Sequence, residues 1–333
     1  MTPSVEFRVG ETPLVALDRL FPPDIVPVYA KLEMLNLGGS VKDRTAHYMV
    51  SQAIASGRLT RDSHLVESSS GNLAIALAMI AQRFGIPFTA VVDPNCAPTN
   101  RRLIEAFGAR IDTVRDKDEE GGYLHTRVRR VAELSRTIEG AVWLNQYANP
   151  DNWRAHYNGI GAEIVRDMPV EPTHVVAAVS TCGTLMGLAR RLRERWPRIE
   201  VVAVDLDGSV IFGRPGGRRE IPGIGASRVP EQLRLSEVDA VIYATDWEST
   251  LGCRRLVASQ GILAGGSSGT VVAAIAKLIP RLGPSARIVT VLPDRGERYL
   301  DTVYDPAWPA PERRLTESFD TSYRRLAPRF AAA

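Results

Sequence analysis

Four short segments of the 333-residue chain combine glycine with hydroxyl or amide side chains. They are Gly38-Gly39-Ser40-Val41-Lys42-Asp43-Arg44, Ser68-Ser69-Ser70-Gly71-Asn72, Ser180-Thr181-Cys182-Gly183-Thr184 and Gly265-Gly266-Ser267-Ser268-Gly269. Each leads into a stretch of helical period, where the first turn of a helix offers unpaired backbone N–H groups to an anion. Any one of them alone reads as a turn with a good N-cap residue. Four in one chain, one of them carrying a lysine, imply at least two anionic groups to bind. The chemistry they exclude is as informative. No G-x-x-x-x-G-K-[ST] loop occurs, and no G-x-G-x-x-G follows a strand with an acidic partner downstream, so nucleotide hydrolysis and nicotinamide chemistry lose support. A serine hydrolase is disfavoured because no G-x-S-x-G elbow is present.

Those junctions need strands and helices to hold them. Short runs rich in Val, Ile and Ala alternate with longer helical patterns, which predicts an α/β fold with a mostly parallel sheet covered on both faces. The expected strands are 28–33, 64–67, 88–93, 110–114, 141–145, 174–180, 201–205, 240–244 and 287–292. Between most of them the pattern predicts helices such as 42–55, 72–84, 123–135, 153–166, 184–195 and 268–279. In the third of these, Leu124, Val128 and Val131 mark one buried face, and Arg127 does not share it. From spacing alone Arg127 points to a cleft or to solvent, and a lone helical arginine is more often solvated. Asn149-Pro150-Asp151-Asn152 is a turn suited to a domain crossing, and Gly213 to Gly225 is the longest loop-like segment. After Tyr304 the chain is rich in Pro and Arg, with no clear strand, and reads as a tail.

Composition bounds the rest. Lys and Arg number 41 against 38 Asp and Glu, and the basic residues are scattered, which argues against a nucleic-acid binder. The cysteines Cys96, Cys182 and Cys253 lack CxxC spacing, and the five histidines lack H-x-x-x-H spacing, so neither a disulfide framework nor a metal site is expected. The first residues lack a signal peptide's basic and apolar regions, and no apolar stretch approaches about 18 residues, so a cytoplasmic protein without a membrane span is expected.

The four junctions, in this order, resemble the motifs of fold type II pyridoxal-phosphate enzymes of the cysteine synthase and cystathionine β-synthase family. The Gly38 to Arg44 segment is similar to that family's lysine segment, and Ser69 to Asn72 to its substrate-carboxylate loop. Ser180 to Thr184 is similar to its phosphate cup and Gly265 to Gly269 to its pyridine-nitrogen segment, while Gln146, within Asn145-Gln146-Tyr147-Ala148-Asn149, matches a further position. The likeness runs from about Glu11 to about Asp301. It implies two three-layer αβα domains of the tryptophan synthase β-like type, with the cofactor in the cleft between them. The expected organisation is a large domain from 1–41 and 150–305, a smaller mobile domain from 42–149, a peripheral tail from 306–333, and a homodimer.

The resemblance also implies roles. Lys42 would hold pyridoxal 5'-phosphate through its amine and then remove the substrate's α-proton, which requires a lowered pKa. Backbone N–H groups of Thr181, Cys182, Gly183 and Thr184, with two threonine hydroxyls, would bind the cofactor phosphate without a buried cation. Where relatives often carry glycine, Cys182 could crowd that cup. Ser267 would face the pyridine nitrogen, Asn72 the cofactor's 3'-oxygen, and Ser69, Ser70, Gly71 and Gln146 the substrate carboxylate. Further segments, among them Gly121-Gly122-Tyr123-Leu124, Gly208 to Gly213 and Pro222 to Pro230, resemble a branch of the family that joins O-phospho-L-serine to L-glutamate on the way to 2,3-diaminopropionate for a siderophore or another natural product. In that branch Arg127, Tyr147 and Ser180 would meet the substrate's phosphate. Ser227 and Arg228, in the Gly223 to Arg228 loop, are candidate contacts for the second amino acid, the alternative being that the loop is a structural flap. The alternative the same motifs allow is an O-phosphoserine sulfhydrylase that uses sulfide.

Overall fold

The computed structural model describes residues 8–118, 121–308 and 322–326. Among these the strands are β1 (Leu14–Ala16), β2 (Val28–Leu32), β3 (His64–Ser68), β4 (Phe88–Val92), β5 (Arg110–Thr113), β6 (Ala141–Trp143), β7 (His174–Ala178), β8 (Glu200–Leu206), β9 (Ala240–Ala244), β10 (Ile288–Leu292) and β11 (Tyr323–Arg325). The α-helices are α1 (Lys42–Ala55), α2 (Asn72–Phe84), α3 (Pro98–Ala106), α4 (Leu124–Thr137), α5 (Asp151–His156), α6 (Ala162–Asp167), α7 (Gly183–Arg195), α8 (Asp246–Gln260) and α9 (Gly266–Leu278).

Two sheets result. One has four parallel strands in the order β5-β4-β3-β6, and the other has seven in the order β1-β2-β10-β7-β8-β9-β11. Only the two edge strands of the larger sheet run antiparallel to their neighbours. Period-2 alternation places each strand's side chains on opposite faces. In the smaller sheet Leu65, Ala90 and Val92 pack under α1 and α2, whereas Val66 and Val91 meet Val131 and Leu134 of α4. In the larger sheet Val176, Val202 and Ile242 face α8 and α9, and Val175, Val201 and Val241 face α7. Both sheets are therefore covered on both faces, which explains why their strands read as continuous apolar runs.

The nine expected strands are all present, most of them one or two residues shorter. The 141–145 strand ends at Trp143 because Asn145 turns into the left-handed region, with φ of 54°. Three differences are larger. First, the tail is not strandless: Tyr323 pairs with Ile242 and Arg325 with Ala240, so β11 closes the sheet's edge. Its Tyr-Arg-Arg carries no period of its own, and β9 supplies the register. The rest of the expected tail, 309–321 and 327–333, lies outside the described residues, as do residues 1–7 of the N-terminal reading. Second, the single helix expected over 153–166 is interrupted by a π-turn at Tyr157–Gly161. Here the crossing with α7 is tight, since a Cβ at Gly161 would lie 2.7 Å from that of Arg191 and one at Gly187 would lie 2.5 Å from the Trp153 carbonyl. Third, α8 has little amphipathic period, and its sequence signal is the capping box of Thr245 and Glu248. It packs so closely on α9 that a Cβ at Gly252 would fall 2.1 Å from the Gly269 carbonyl. That contact seats the first turn of α9.

Candidate active site

Parallel strands point their carboxyl ends the same way, and in open α/β sheets that is where ligands bind. The turn after β3 carries Ser69 to Asn72, that after β7 carries Ser180 to Thr184, and that after β10 carries Pro293 and Asp294. All line one cleft of about 1330 Å³ with Lys42, Arg127, Gln146, Tyr147 and Ser267. The two sheets meet here through a 2.7 Å hydrogen bond from Asn72 Nδ2 to Asp294 Oδ2, and a bridge between Ser40 and Asp294 ties the turn before α1 to the end of β10. The residues singled out in the sequence for the cofactor and for the phosphorylated substrate thus face this space, whereas Ser227 and Arg228 do not line it.

Lys42 is the first residue of α1. Its amine is shielded by the surrounding protein, and desolvation lowers its pKa from 10.5 to about 8, with the neighbouring Cys182 sulfur pulling the other way. The positive end of the helix dipole acts in the same direction as burial. At neutral pH the neutral amine then rises from a trace to roughly a tenth of the population. The turn that carries it is held firmly. Val41 N donates to the Pro293 carbonyl at 2.7 Å, and Gly38 N to Asp43 Oδ2 at 2.5 Å. Two residues beyond Lys42, Arg44 reaches Glu33 at 2.6 Å and Glu163 at 2.5 Å, and Lys31 reaches Glu163 at 2.6 Å. These two cations and two carboxylates are all buried, so each needs its partners. Among them the Glu163 carboxyl is held at about 2 by Arg44 and Lys31 against its burial.

The segment from Thr181 to Thr184 opens α7. Cys182 sits in the left-handed region, with φ of 63°, which L side chains adopt at some cost. Gly183 approaches Asn152 so closely that a Cβ would lie 2.2 Å from its Oδ1. Asn152 in turn donates to Thr181 Oγ1 at 3.1 Å and to the Gln146 carbonyl at 2.7 Å. His156 Nε2 lies 3.3 Å from Thr184 Oγ1 and 3.0 Å from Thr45 Oγ1. Burial drives the pKa of His156 well below its ordinary value, helped by Lys42 and Arg44, so the ring is neutral. The cup is therefore made of helix N-terminal N–H groups and hydroxyls, tied through Thr45 to the lysine helix. This donor set, facing a shielded amine of lowered pKa, fits a cofactor that carries a phosphate dianion and a reactive carbonyl. The Cys182 side chain is buried in the core cluster that includes Leu185 and Val179.

The opposite wall is built on the smaller sheet. Glu67 at the end of β3 is wholly buried, and desolvation raises its pKa to about 7 despite hydrogen bonds from Trp143, Ser68 and Gln146. It accepts Trp143 Nε1 at 2.8 Å and Ser68 N at 2.9 Å, so it clamps the turns that carry Ser69 and Gln146. Arg127, left undecided by spacing, turns into the cleft and donates to Ser70 Oγ at 2.7 Å. The same Nη1 lies 3.1 Å from Asp93 Oδ2. Asn72 is oriented from both ends, by Asp294 and by a short hydrogen bond from Arg298, and Tyr299 fixes Asp294 at 2.6 Å. Arg228 does not line the cleft; it lies over the Tyr147 ring at 4.8 Å and pairs with Glu231. Ser227 likewise accepts from Arg219 at 2.9 Å. The long loop does line the space, through Gly217 to Gly225, and Gly225 N is tied to the Val179 carbonyl at 2.7 Å.

Sequence reasoning assigned no role to Asp93, Asn152, His156 or Asp294. The signals were weak: Asn152 belonged to a turn, and Asp93 and Asp294 stand just beyond the ends of strands. Partners that reach them across the cleft, such as Ser70 for Asp93 at 23 residues and Asn72 for Asp294 at 222 residues, carry no local period.

The profile of the family described as pyridoxal-phosphate dependent enzyme matches residues 5–294. The N-(2-amino-2-carboxyethyl)-L-glutamate synthase of Ralstonia nicotianae is 53% identical over 300 residues, covering 90% of this chain and 89% of that protein. The protein of the same name from Cupriavidus metallidurans is 54% identical over 308 residues, covering 92% and 90%. Among solved structures, an O-acetylserine dependent cystathionine beta-synthase from Helicobacter pylori superposes with a TM-score of 0.83 at 32% identity, covering 90% of this chain and 98% of that one.

Proposed function

The chain belongs to the pyridoxal-phosphate dependent enzyme family, and from that premise we propose that it joins O-phospho-L-serine to L-glutamate, giving N-(2-amino-2-carboxyethyl)-L-glutamate and phosphate. The observation that carries this reading is Arg127, turned into the cleft beside the Ser69 to Asn72 turn, where a substrate's own phosphate needs a partner. An arginine meets phosphate bidentately, and an acetate ester would need no such cation. The names of the two relatives at 53% and 54% identity point the same way.

When bound, pyridoxal phosphate supplies an electron sink for the pair left on the substrate's α-carbon. The chain's residues do the rest. Lys42 would hold the cofactor and then take the α-proton, both of which need the neutral amine that its lowered pKa provides. The Thr181 to Thr184 cup would hold the cofactor phosphate, Asn72 its 3'-oxygen and Ser267 its ring nitrogen. A neutral serine stabilises a protonated ring less than a carboxylate would, which favours prompt loss of a β-leaving group. Ser69, Ser70, Gly71 and Gln146 would orient the substrate carboxylate. Arg127, Tyr147 and Ser180 would hold the phosphate ester through directed hydrogen bonds as the Cβ–O bond breaks, after which the glutamate amine forms the new C–N bond at that carbon in a ping-pong order.

The reading extends to organisation. Residues 42–149, with their own sheet and core, act as the smaller unit that closes on the larger one, the enzyme is a homodimer, and it works in the cytoplasm, where three unpaired cysteines are at home. Incubating the holoenzyme and O-phospho-L-serine with glutamate or with sulfide, and identifying products by mass spectrometry, tests the assignment. A sulfide adduct with no glutamate adduct would remove it.

A further inference from the structure

Arg127 does not stand alone in the cleft. Asp93 directly follows β4, and its carboxylate accepts Asn95 N at 2.9 Å on Oδ1 and Ser70 Oγ at 3.2 Å on Oδ2. Oδ2 also lies 3.1 Å from Arg127 Nη1, with the two side chains 8% and 15% exposed. Arg127, Ser70 and Asp93 therefore form a closed triangle, since Nη1 also donates to Ser70 Oγ at 2.7 Å. The guanidinium still has capacity, because its buried Nε has no hydrogen-bond partner. A phosphate arriving at Arg127 meets a cation whose charge is already cancelled, with a carboxylate about as close to it as the phosphate would be.

We propose that Asp93 is a positioning residue that limits the grip of Arg127 on phosphate, so that the first product leaves before the second amino acid enters. This rests on the leaving-group reading of Arg127. The reason is electrostatic. A dianion beside a lone, largely shielded guanidinium would be held tightly and released slowly, because charge–charge attraction grows as water is excluded. With Asp93 fixed by the Asn95 amide and the Ser70 hydroxyl, the pair is neutral before phosphate arrives and neutral again once it leaves. Phosphate is then recognised by the direction of the guanidinium donors and by Ser70, and only weakly by net charge. Lys117, which also lines the cleft, adds positive charge that Asp93 does not touch.

The test is the affinity of the holoenzyme for inorganic phosphate, read by isothermal titration calorimetry. Asp93→Asn keeps the shape and removes the charge, and it should bind phosphate on the order of tenfold more tightly than the unaltered enzyme. Asp93→Glu, which keeps the charge, should stay close to the unaltered enzyme, and the double variant Asp93→Asn/Arg127→Met should bind as weakly as Arg127→Met alone. The sign of the change decides the matter. If Asp93 served only to hold Arg127 in place, Asp93→Asn would bind phosphate equally or more weakly, and that outcome overturns the proposal. Asp93→Ala is read in the same way should Asp93→Asn fail to fold. Arg127→Met with undiminished phosphate affinity would instead overturn the leaving-group reading, whatever Asp93 does.

Discussion

The two walls of the cleft handle anions differently. The wall on the larger sheet, at the start of α7, offers backbone N–H groups and two threonine hydroxyls, backed by a neutral His156 and by Asn152. The wall on the smaller sheet offers a guanidinium already matched with a carboxylate, and beneath it a second buried carboxyl at Glu67. The difference fits the residence time of what each would hold. A resident cofactor is best served by donors that need no counter-charge and no rearrangement. A substrate phosphate must arrive and leave in each turnover, which a self-neutralised cation allows.

The comparison can be broken at several points. Lys42→Ala, between the walls, should lower turnover by a factor of about a thousand or more and abolish the long-wavelength absorbance of the bound cofactor, while the fold persists by circular dichroism. If the absorbance stays, the lysine assignment is wrong.

The smaller-sheet wall carries a carboxyl whose titration can be read directly. The pKa of Glu67 is about 7 when folded against 4.5 unfolded, so its contribution to stability is complete below pH 4.5 and is lost as pH rises through 7. Glu67→Gln should flatten the pH profile of unfolding by roughly 3 kcal/mol between pH 4.5 and pH 8, measured with urea. An unchanged profile would mean that Glu67 ionises freely in the folded protein.

Arg127→Met should reduce kcat/KM for O-phospho-L-serine by on the order of thirtyfold, about 2 kcal/mol, without disturbing the cofactor's absorbance. Simultaneous loss of cofactor would show that the walls are not independent.

Cys182→Gly should do least. Relief of the left-handed backbone offsets the lost packing of a buried thiol, each of them about 1 kcal/mol, and the cup's N–H donors do not depend on the side chain. Cofactor affinity within about threefold of the unaltered protein is expected by fluorescence titration.

Much of this is legible in the sequence. Nine strands and most of the helices between them follow from apolar runs and periods, and the family that the four ordered junctions resemble implies Lys42, Asn72, Thr181 to Thr184 and Ser267. What failed did so for physical reasons. β1 and β11 have three residues each and take their register from a neighbour. α8 hides its period because Gly252 and Cys253 face α9 where a larger apolar side chain would collide. The break at Tyr157–Gly161 arises from a crossing with α7, which no local propensity encodes.

The sequence by itself determined the class of fold, the order of the junctions and the amine among them, because turn chemistry and side-chain period act over a few residues. Tertiary structure decided the electrostatics. It turned Arg127 inward, set Asp93 against it from 34 positions away, put the neutral His156 under Thr184 and buried Glu67 where its charge is costly. Charge and burial depend on which elements become neighbours, and sheet order, not sequence order, sets that.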